Sequence, residues 1–408
     1  MERGAAWPAQ TQNLEVTFAH SHPLKCASAV FEAYFFFCGI IVVRYNEIMK
    51  KSILIILILA AAIILISQRR GNEAPAPISE TPGLDLPPKE ILASDLNIPW
   101  DMEILPDERL LVSERPGNLL VIGENREIIK VEGVRHTGEG GLLGVALHPE
   151  FAENNLLYLY LTSTEGGLVT NRVERYRLEG NALLERTVIL QGIRGSSVHD
   201  GGQLAFGPDN LLYITTGDSG QGQLAQDKNS LNGKILRVRD DGSIPEDNPF
   251  GNAVYSFGHR NPQGLAWDDG GRLWATEHGP SGIDGGRGQD ELLFIEKGQN
   301  YGWPVIKGDA VKDGMTTPVI HSGTAETWAP SGLAFWKGRL YFAGLRGETL
   351  YSYDPGVRKL TRYFAGEYGR LRGVTAGSKG LYITTSNRDG RGQVRAGDDL
   401  LILLRSVE

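Results

Sequence analysis

From residue 98 onward the apolar positions come in short alternating runs, paired around turns of Gly, Pro, Asn and Asp. Six segments share this layout: "IPWDMEILPDERLLVSERPG", "GLLGVALHPEFAENNLLYLYLTS", "GGQLAFGPDNLLYITTGD", "PQGLAWDDGGRLWATEHGP", "PSGLAFWKGRLYFAGLRG" and "LRGVTAGSKGLYITTSNRDG". Each has a small-residue entry, an apolar strand, a turn and a second strand, the signature of an antiparallel hairpin. Leu110, Leu157, Leu212, Leu273, Leu340 and Leu381 are equivalent positions, spaced by 47, 55, 61, 67 and 41 residues. A period of about 40 to 50 residues is that of a propeller blade, with the excess in loops on one face. The expected fold is all-β, a six-bladed propeller of four-stranded antiparallel sheets. "NRVERYRLEG", "GKILRVRDDG", "DELLFIEKG" and "TLYSYDPG" are further strand candidates that fill out the blades, and "DDLLILLRSVE" is apolar enough to pair with an early strand and close the ring. An ordinary sandwich is the alternative, but it gives no reason for six copies.

Residues whose numbers average to the centre of a hairpin turn face each other across the ladder. His199 and Asp218 average to the Pro208-Asp209 turn, so they are expected as neighbours at the open end of the third hairpin. Arg260 and Gly279 are placed in the same way around "DDGG" in the fourth. Arg346 follows the second strand of the fifth hairpin; Arg370 and Arg372 precede the first strand of the sixth, and Arg388 follows its second. In a propeller these ends share one rim, and residues distant in sequence converge there on one pocket. A histidine beside a carboxylate is the arrangement of a general base. Several arginines suit a planar polycarboxylate or a phosphate through forked hydrogen bonds. Salt bridges between blades are the plainer use of the same residues.

Composition narrows the partners. The chain of 408 residues has a formal charge of -8 and no block of basic residues, which argues against a nucleic-acid partner. An anionic ligand must therefore be held by local arginines. The N-terminal part is different in kind: Met49, Lys50 and Lys51 precede an uninterrupted apolar run from Ile53 to Ile66, the layout of an export signal. Met49 is accordingly the expected start, and residues 1–48 read as an upstream extension, although "VFEAYFFFCGIIVV" is an alternative apolar segment. The segment 49–70 reads as a signal peptide or a membrane anchor, because the run is short for a spanning helix yet Arg69 and Arg70 leave no clear cleavage site. Residues 71–92 read as a Pro/Ala-rich tether and 93–408 as the propeller, located in the periplasm or on the outer face of the membrane. Cys26 and Cys38 are the only cysteines, so the propeller has no thiol chemistry.

The motifs "GEGGLLGVALHPEF", "HDGGQLAFGPDNLLYITTGD", "GKILRVRDDGSIPEDNPF", "GHRNPQGLAW", "GQDELLFIEKGQNYGWP" and "GRLRGV" together resemble the soluble quinoprotein glucose/sorbosone dehydrogenase family, in its aldose sugar dehydrogenase branch, over about residues 93 to 405. The resemblance implies pyrroloquinoline quinone (PQQ) and calcium as cofactors, an aldose as substrate oxidised at its anomeric carbon, and an electron acceptor that the sequence does not identify. By the same resemblance His199 is the general base and Asp218 the carboxylate that orients it. Arg260 and Asn261 lie over the quinone, and Arg346, Arg370 and Arg372 grip its carboxylates. The backbone carbonyls of Gly279 and Pro280 hold the calcium, Glu291 and Tyr301 are ligands of a second, structural calcium, and Trp328 lines the sugar entrance. Three positions depart from the soluble glucose dehydrogenases. Glu139 replaces a glutamine at the cofactor, Val198 a polar residue and Arg346 a lysine; a carboxylate at 139 repels an anionic ligand unless it is protonated or paired with an arginine.

Two other functions fit parts of this pattern. A calcium-dependent propeller hydrolase acting on lactones or esters would use the His, the Asp and the metal to activate water, but it has no need of converging arginines. A non-catalytic binding propeller has no need of the His-Asp pair.

Overall fold

The computed structural model describes residues 78–79, 88–281, 284 and 286–405. The expected extension at 1–48, the signal or anchor at 49–70 and both cysteines lie outside these residues. Among the described residues no helix is long and apolar enough to cross a membrane.

The architecture is a six-bladed propeller of antiparallel sheets. Blade 1 comprises Pro99–Ile104, Leu110–Glu114, Asn118–Ile122 and Arg126–Lys130. Blade 2 comprises Leu142–Leu147, Leu156–Glu165, Leu168–Glu179 and Ala182–Arg194. Blade 3 is Leu204–Phe206, Leu212–Thr216, Lys234–Val238 and Val254–Phe257. Blade 4 is Pro262–Trp267, Leu273–Glu277, Glu291–Ile295 and the two-residue strand Ile320–His321. Blade 5 runs through Pro330–Trp336, Arg339–Gly344, Thr349–Asp354 and Lys359–Tyr363, and Ile78–Ser79 adds to its outer edge in parallel. Blade 6 takes three strands from the C-terminal part, Leu371–Gly377, Gly380–Thr385 and Leu401–Arg405, and its outermost strand, Lys89–Ala93, from the start of the domain. The expected closure of the ring is thus made by residues that the sequence had assigned mainly to the tether. Lys89–Ala93 is mostly exposed, and "KEILA" is too short and too polar to show a strand period.

The hydrophobic effect holds the blades face to face rather than around one centre. Each cluster of buried apolar residues spans one blade-to-blade interface: Leu111 and Leu119 with Leu142 and Leu159 between blades 1 and 2, and Tyr158 and Tyr160 with Leu204 and Leu236 between blades 2 and 3. Tyr213 and Ile235 meet Leu265 and Leu293; Trp274 and Leu292 meet Trp328 and Phe342. Ala343 and Leu350 meet Leu371 and Ile383, and Tyr382 and Leu403 close the circle on Met102 and Val112.

The innermost strands meet their neighbours with a common irregularity. In blades 1, 2, 4, 5 and 6 the register between first and second strand shifts near the entry of the first strand. In blade 3 the ladder begins only at Leu204, opposite Ile214, and residues 199 to 203 form a loop instead. Bulges bend and twist a strand and re-aim its side chains. All of these fall on the rim where the candidate residues gather.

Candidate active site

The His-Asp pair forms as expected, by a different route. The third hairpin pairs Leu204 with Ile214 and Ala205 with Tyr213, one residue off the expected register, and His199 lies before the strand in a left-handed conformation with φ 56°. The entry loop nevertheless returns it to the end of the second strand. His199 Nδ1 is 2.7 Å from Asp218 Oδ1, and both side chains are buried. Asp218 is held from all sides: Oδ1 also accepts the Gly220 N–H at 2.8 Å, and Oδ2 accepts Trp303 Nε1–H at 2.7 Å. With the carboxylate accepting from each of these, the proton of the imidazole belongs on Nδ1 and Nε2 is left as the basic atom. The loop approaches so closely that a Cβ on Gly217 would lie 1.9 Å from the His199 carbonyl oxygen, so no larger residue fits there.

Beside this pair lie two contiguous cavities that share Glu139, His278, Leu345, Arg370 and Arg391 in their walls. The larger, of about 790 Å³, is lined by Val198, His199, Arg260, Gly279 and Arg346 as well. The narrower, of about 430 Å³, adds Trp100, Arg115, Asp200 and Arg372. Blades 1, 3, 4, 5 and 6 therefore all reach one site. Arg370 is paired with Asp389, at 3.0 Å from Nε and 2.7 Å from Nη2, and donates from Nη1 to the Leu345 carbonyl. Arg260 pairs with Asp284, donates at 3.3 Å to the His278 carbonyl and lies over the Trp303 ring. Arg372 sits 4.1 Å above the Trp100 ring with Nη2 buried and unpartnered, and Arg115 has an unpartnered buried Nε. Burial first, and the nearby Arg115 second, draw the Arg372 pKa down to about 9. Asn261 accepts the Gly201 N–H at 3.0 Å, while its Nδ2 is buried without a partner.

Glu139 has the arginine partner that its charge requires. Its Oε1 is 2.8 Å from Arg391 Nη1, and its Oε2 accepts the backbone N–H of His199 at 2.9 Å. Burial opposes ionisation, but Arg391 and the His199 N–H outweigh it and hold the Glu139 pKa at about 2.

The remaining expected residues divide between the cavity and its surroundings. Gly279 lies on the wall with Pro280 next to it, both buried. The Gly279 N–H donates to Asp290, whose carboxylate also takes the N–H groups of Trp328 and Ala329. A Cβ at position 279 would lie 2.2 Å from the Gly288 carbonyl oxygen, which reserves this turn for glycine. Glu291 stands away from the cavity, directly across the ladder from Glu277, and burial with that second carboxylate pushes its pKa well above normal. Tyr301 stacks on His259, which bonds Glu277 at 2.8 Å, so Tyr301 and Glu291 flank the same buried carboxylate. The Tyr301 hydroxyl is already engaged with the Phe294 carbonyl and the Glu296 N–H. Trp328 is buried between blades 4 and 5, and its neighbours Thr327 and Ala329 line the cavity instead. Among the described residues no three His, Cys, Asp or Glu side chains converge as a metal site, so a cation here would rely on carbonyl oxygens.

The sequence pattern does not single out Arg115, Asp200, Asp389, Arg391 and Trp303, and it gives His278 no partner. Arg115 is nonetheless legible, since it follows the second strand of blade 1 as Arg346 does in blade 5. His278 precedes Gly279, and burial draws its pKa down to about 3, which keeps it neutral with an unpartnered Nε2. Trp303 and Arg391 lie in loops without period and carried no signal.

The donor set fits a planar polyanion. Two buried guanidinium groups keep unsatisfied N–H atoms in a cavity walled by Trp100, and forked donors of this kind match carboxylates. Comparison with known proteins agrees. The chain is 33% identical over 343 residues to the aldose sugar dehydrogenase YliI of Escherichia coli, covering 74% of this chain and 90% of that one. It is 34% identical over 258 residues to quinoprotein glucose dehydrogenase B of Acinetobacter calcoaceticus, covering 54% and 53% of the two chains. The PQQ-bound aldose sugar dehydrogenase of Streptomyces coelicolor superimposes with a TM-score of 0.71 at 40% identity, over 78% of this chain and 99% of that one. Residues 96–403 match the family described as Glucose / Sorbosone dehydrogenase, and with that match the propeller, its His-Asp pair and its arginine-lined cavity have one explanation: this chain is a member of that family of oxidoreductases.

Proposed function

We propose that this protein is a PQQ-dependent aldose sugar dehydrogenase that oxidises the anomeric carbon of an aldose to the lactone. The observation that carries the reading is the joining, in one depression, of a carboxylate-oriented histidine with arginines whose N–H groups are unsatisfied. Arg115, Arg346, Arg370 and Arg372 would hold the carboxylates of the cofactor, with Asn261, Arg260 and Glu139 on its remaining edges. The carbonyls of Gly279 and Pro280 would serve calcium, a hard cation suited to oxygen donors, and a second calcium at Glu291 and the Tyr301 backbone would offset the paired carboxylates of Glu277 and Glu291. When bound, the quinone supplies the acceptor for a hydride from the sugar.

The chain's own part is proton transfer and orientation. His199 Nε2 takes the proton of the anomeric hydroxyl, and Asp218 stabilises the resulting imidazolium through Nδ1–H. Trp303 and Gly220 hold Asp218 so that this bond keeps its direction. Arg260, anchored on Asp284 and on the His278 carbonyl, places a fixed positive charge where negative charge grows. The sugar enters along the larger cavity, past Val198, Thr327 and Arg346. Trp328 contributes to that entrance by fixing its flanking residues. Export by the apolar segment before the propeller would put the reaction outside the cytoplasm, with a separate carrier taking the electrons.

The test is dye-linked oxidation of an aldose panel by the chain expressed without cofactor, before and after addition of PQQ and calcium. Activity is expected only on reconstitution, and His199→Ala should lower kcat by roughly 100-fold or more, the typical worth of a positioned base. Lactone hydrolysis without PQQ, or activity retained by the variant, would refute the reading.

A further inference from the structure

One ionic contact in the cavity wall joins segments 252 residues apart. Glu139 lies in the loop that enters blade 2, and Arg391 in the loop that follows the second strand of blade 6. Arg391 is itself tethered, because its backbone N–H donates to Asp389 Oδ1 at 2.9 Å, and Asp389 is the partner of Arg370. On the other side, Glu139 receives the backbone N–H of His199, a residue in the left-handed region, where a side chain with a Cβ is disfavoured. The Glu139 N–H in turn donates to the Ser197 carbonyl at 3.0 Å, so this one residue pins the chain on both sides of Val198.

We propose that Arg391 and Glu139 act together as a positioning couple for His199, Arg391 fixing the Glu139 carboxylate and Glu139 holding the His199 backbone so that its ring faces the cavity. For its effect on the cofactor, the couple rests on the quinoprotein reading; for its effect on His199, it does not. The geometry also accounts for a carboxylate in an anion-binding wall. Paired with Arg391, Glu139 adds no net charge, whereas alone it would repel a polycarboxylate. The other charged and titratable groups that act on Glu139 are Arg115, Arg372, Asp200 and His278. None of them forms a hydrogen bond with it.

The couple is tested on the full chain with Arg391→Gln, Glu139→Gln and the double variant. Arg391 is largely exposed, so its replacement leaves the core intact. In protein labelled with nitrogen-15 at histidine, the His199 amide of the wild type and of Glu139→Gln should follow the same pH profile between about pH 8 and about pH 5, because neighbouring groups such as Asp200 move both alike and Glu139 stays ionised in the wild type. In Arg391→Gln an additional step should appear within that range as Glu139 takes up a proton, and it should be absent from the double variant. PQQ with calcium is then titrated by quenching of tryptophan emission. Arg391→Gln should weaken binding by about tenfold or more, the effect of one unpaired charge near an anion at intermediate dielectric, and the double variant should return to within roughly threefold of wild type. A His199 amide in Arg391→Gln that behaves as in the wild type would overturn the positioning couple. A double variant that binds no better than Arg391→Gln would do the same. A wild type that shows the amide behaviour but takes no PQQ would leave the couple standing and sink the quinoprotein reading.

Discussion

Trp303 shows how much of the geometry of the His199–Asp218 pair depends on a residue outside it. Its indole N–H and the Gly220 N–H leave Asp218 one direction in which to meet His199. Replacing Asp218 by Asn keeps the volume but substitutes a neutral amide that stabilises no imidazolium. The expected result is a fall in kcat of about 100-fold or more with KM little changed, read from steady-state kinetics of the reconstituted enzyme. At this scale most residues with a fixed place in the repeat are informative. His199, Asp218 and Arg260 follow from counting around hairpin turns, Arg370 and Arg372 from their place before the sixth hairpin, and all of them reach the site, whereas Arg388, equally placed, bonds the Asp398 carbonyl and lines neither cavity. The partners that satisfy them, Asp284, Asp389, Trp303 and Arg391, come from loops, whose conformation depends on contacts with other blades and leaves no period in the chain.

Among the elements, the strands with strong alternation were legible and the outer ones were not. Every third strand expected from the sequence is present in its blade: Lys234–Val238, Glu291–Ile295 and Thr349–Asp354 are mostly buried and rich in Leu, Ile, Val and Tyr, and Leu168–Glu179 alternates buried with more open positions. The fourth strands are short or polar, down to the pair Ile320–His321, and their pairing is decided by the edge they cover rather than by their own composition. Lys89–Ala93 is the clearest case. Deleting residues up to 93 should expose the backbone edge of Leu401–Arg405, whereas truncation up to residue 86 should leave it covered. The longer deletion is expected to lower Tm and promote aggregation more than the shorter one, which removes only the two-residue pairing of Ile78–Ser79 with blade 5, as measured by calorimetry and light scattering. Equal Tm values would mean that the strand is dispensable.

For the whole molecule, the balance of buried carboxylates sets how stability depends on pH. Burial raises the pKa of Asp101 to about 7 and that of Asp200 to about 7, above the ordinary carboxylate value. A group whose folded pKa is raised binds more protons in the native than in the unfolded chain between the two values, so stability falls as pH rises from about 4 to about 7. Glu139, held at about 2, has the opposite sign and loses its contribution as pH falls below about 4.5 toward 2. The cofactor-free protein should therefore be most stable in the mildly acidic range. Asp200→Asn should flatten the decline toward neutral pH in a series of thermal melts, and an unchanged slope would count against Asp200 as its source. The same separation between local and global parts governs the site. The His199–Asp218 pair belongs to a single hairpin, while the arginines around the cavity come from the first, fourth, fifth and sixth blades. Under the proposed function, the base and its carboxylate are local, while the grip on the cofactor and the supports of the base, Glu139, Arg391 and Trp303, belong to the closed circle: a ring opened at any seam between those four blades would keep the pair but lose the cofactor and the aim of the base.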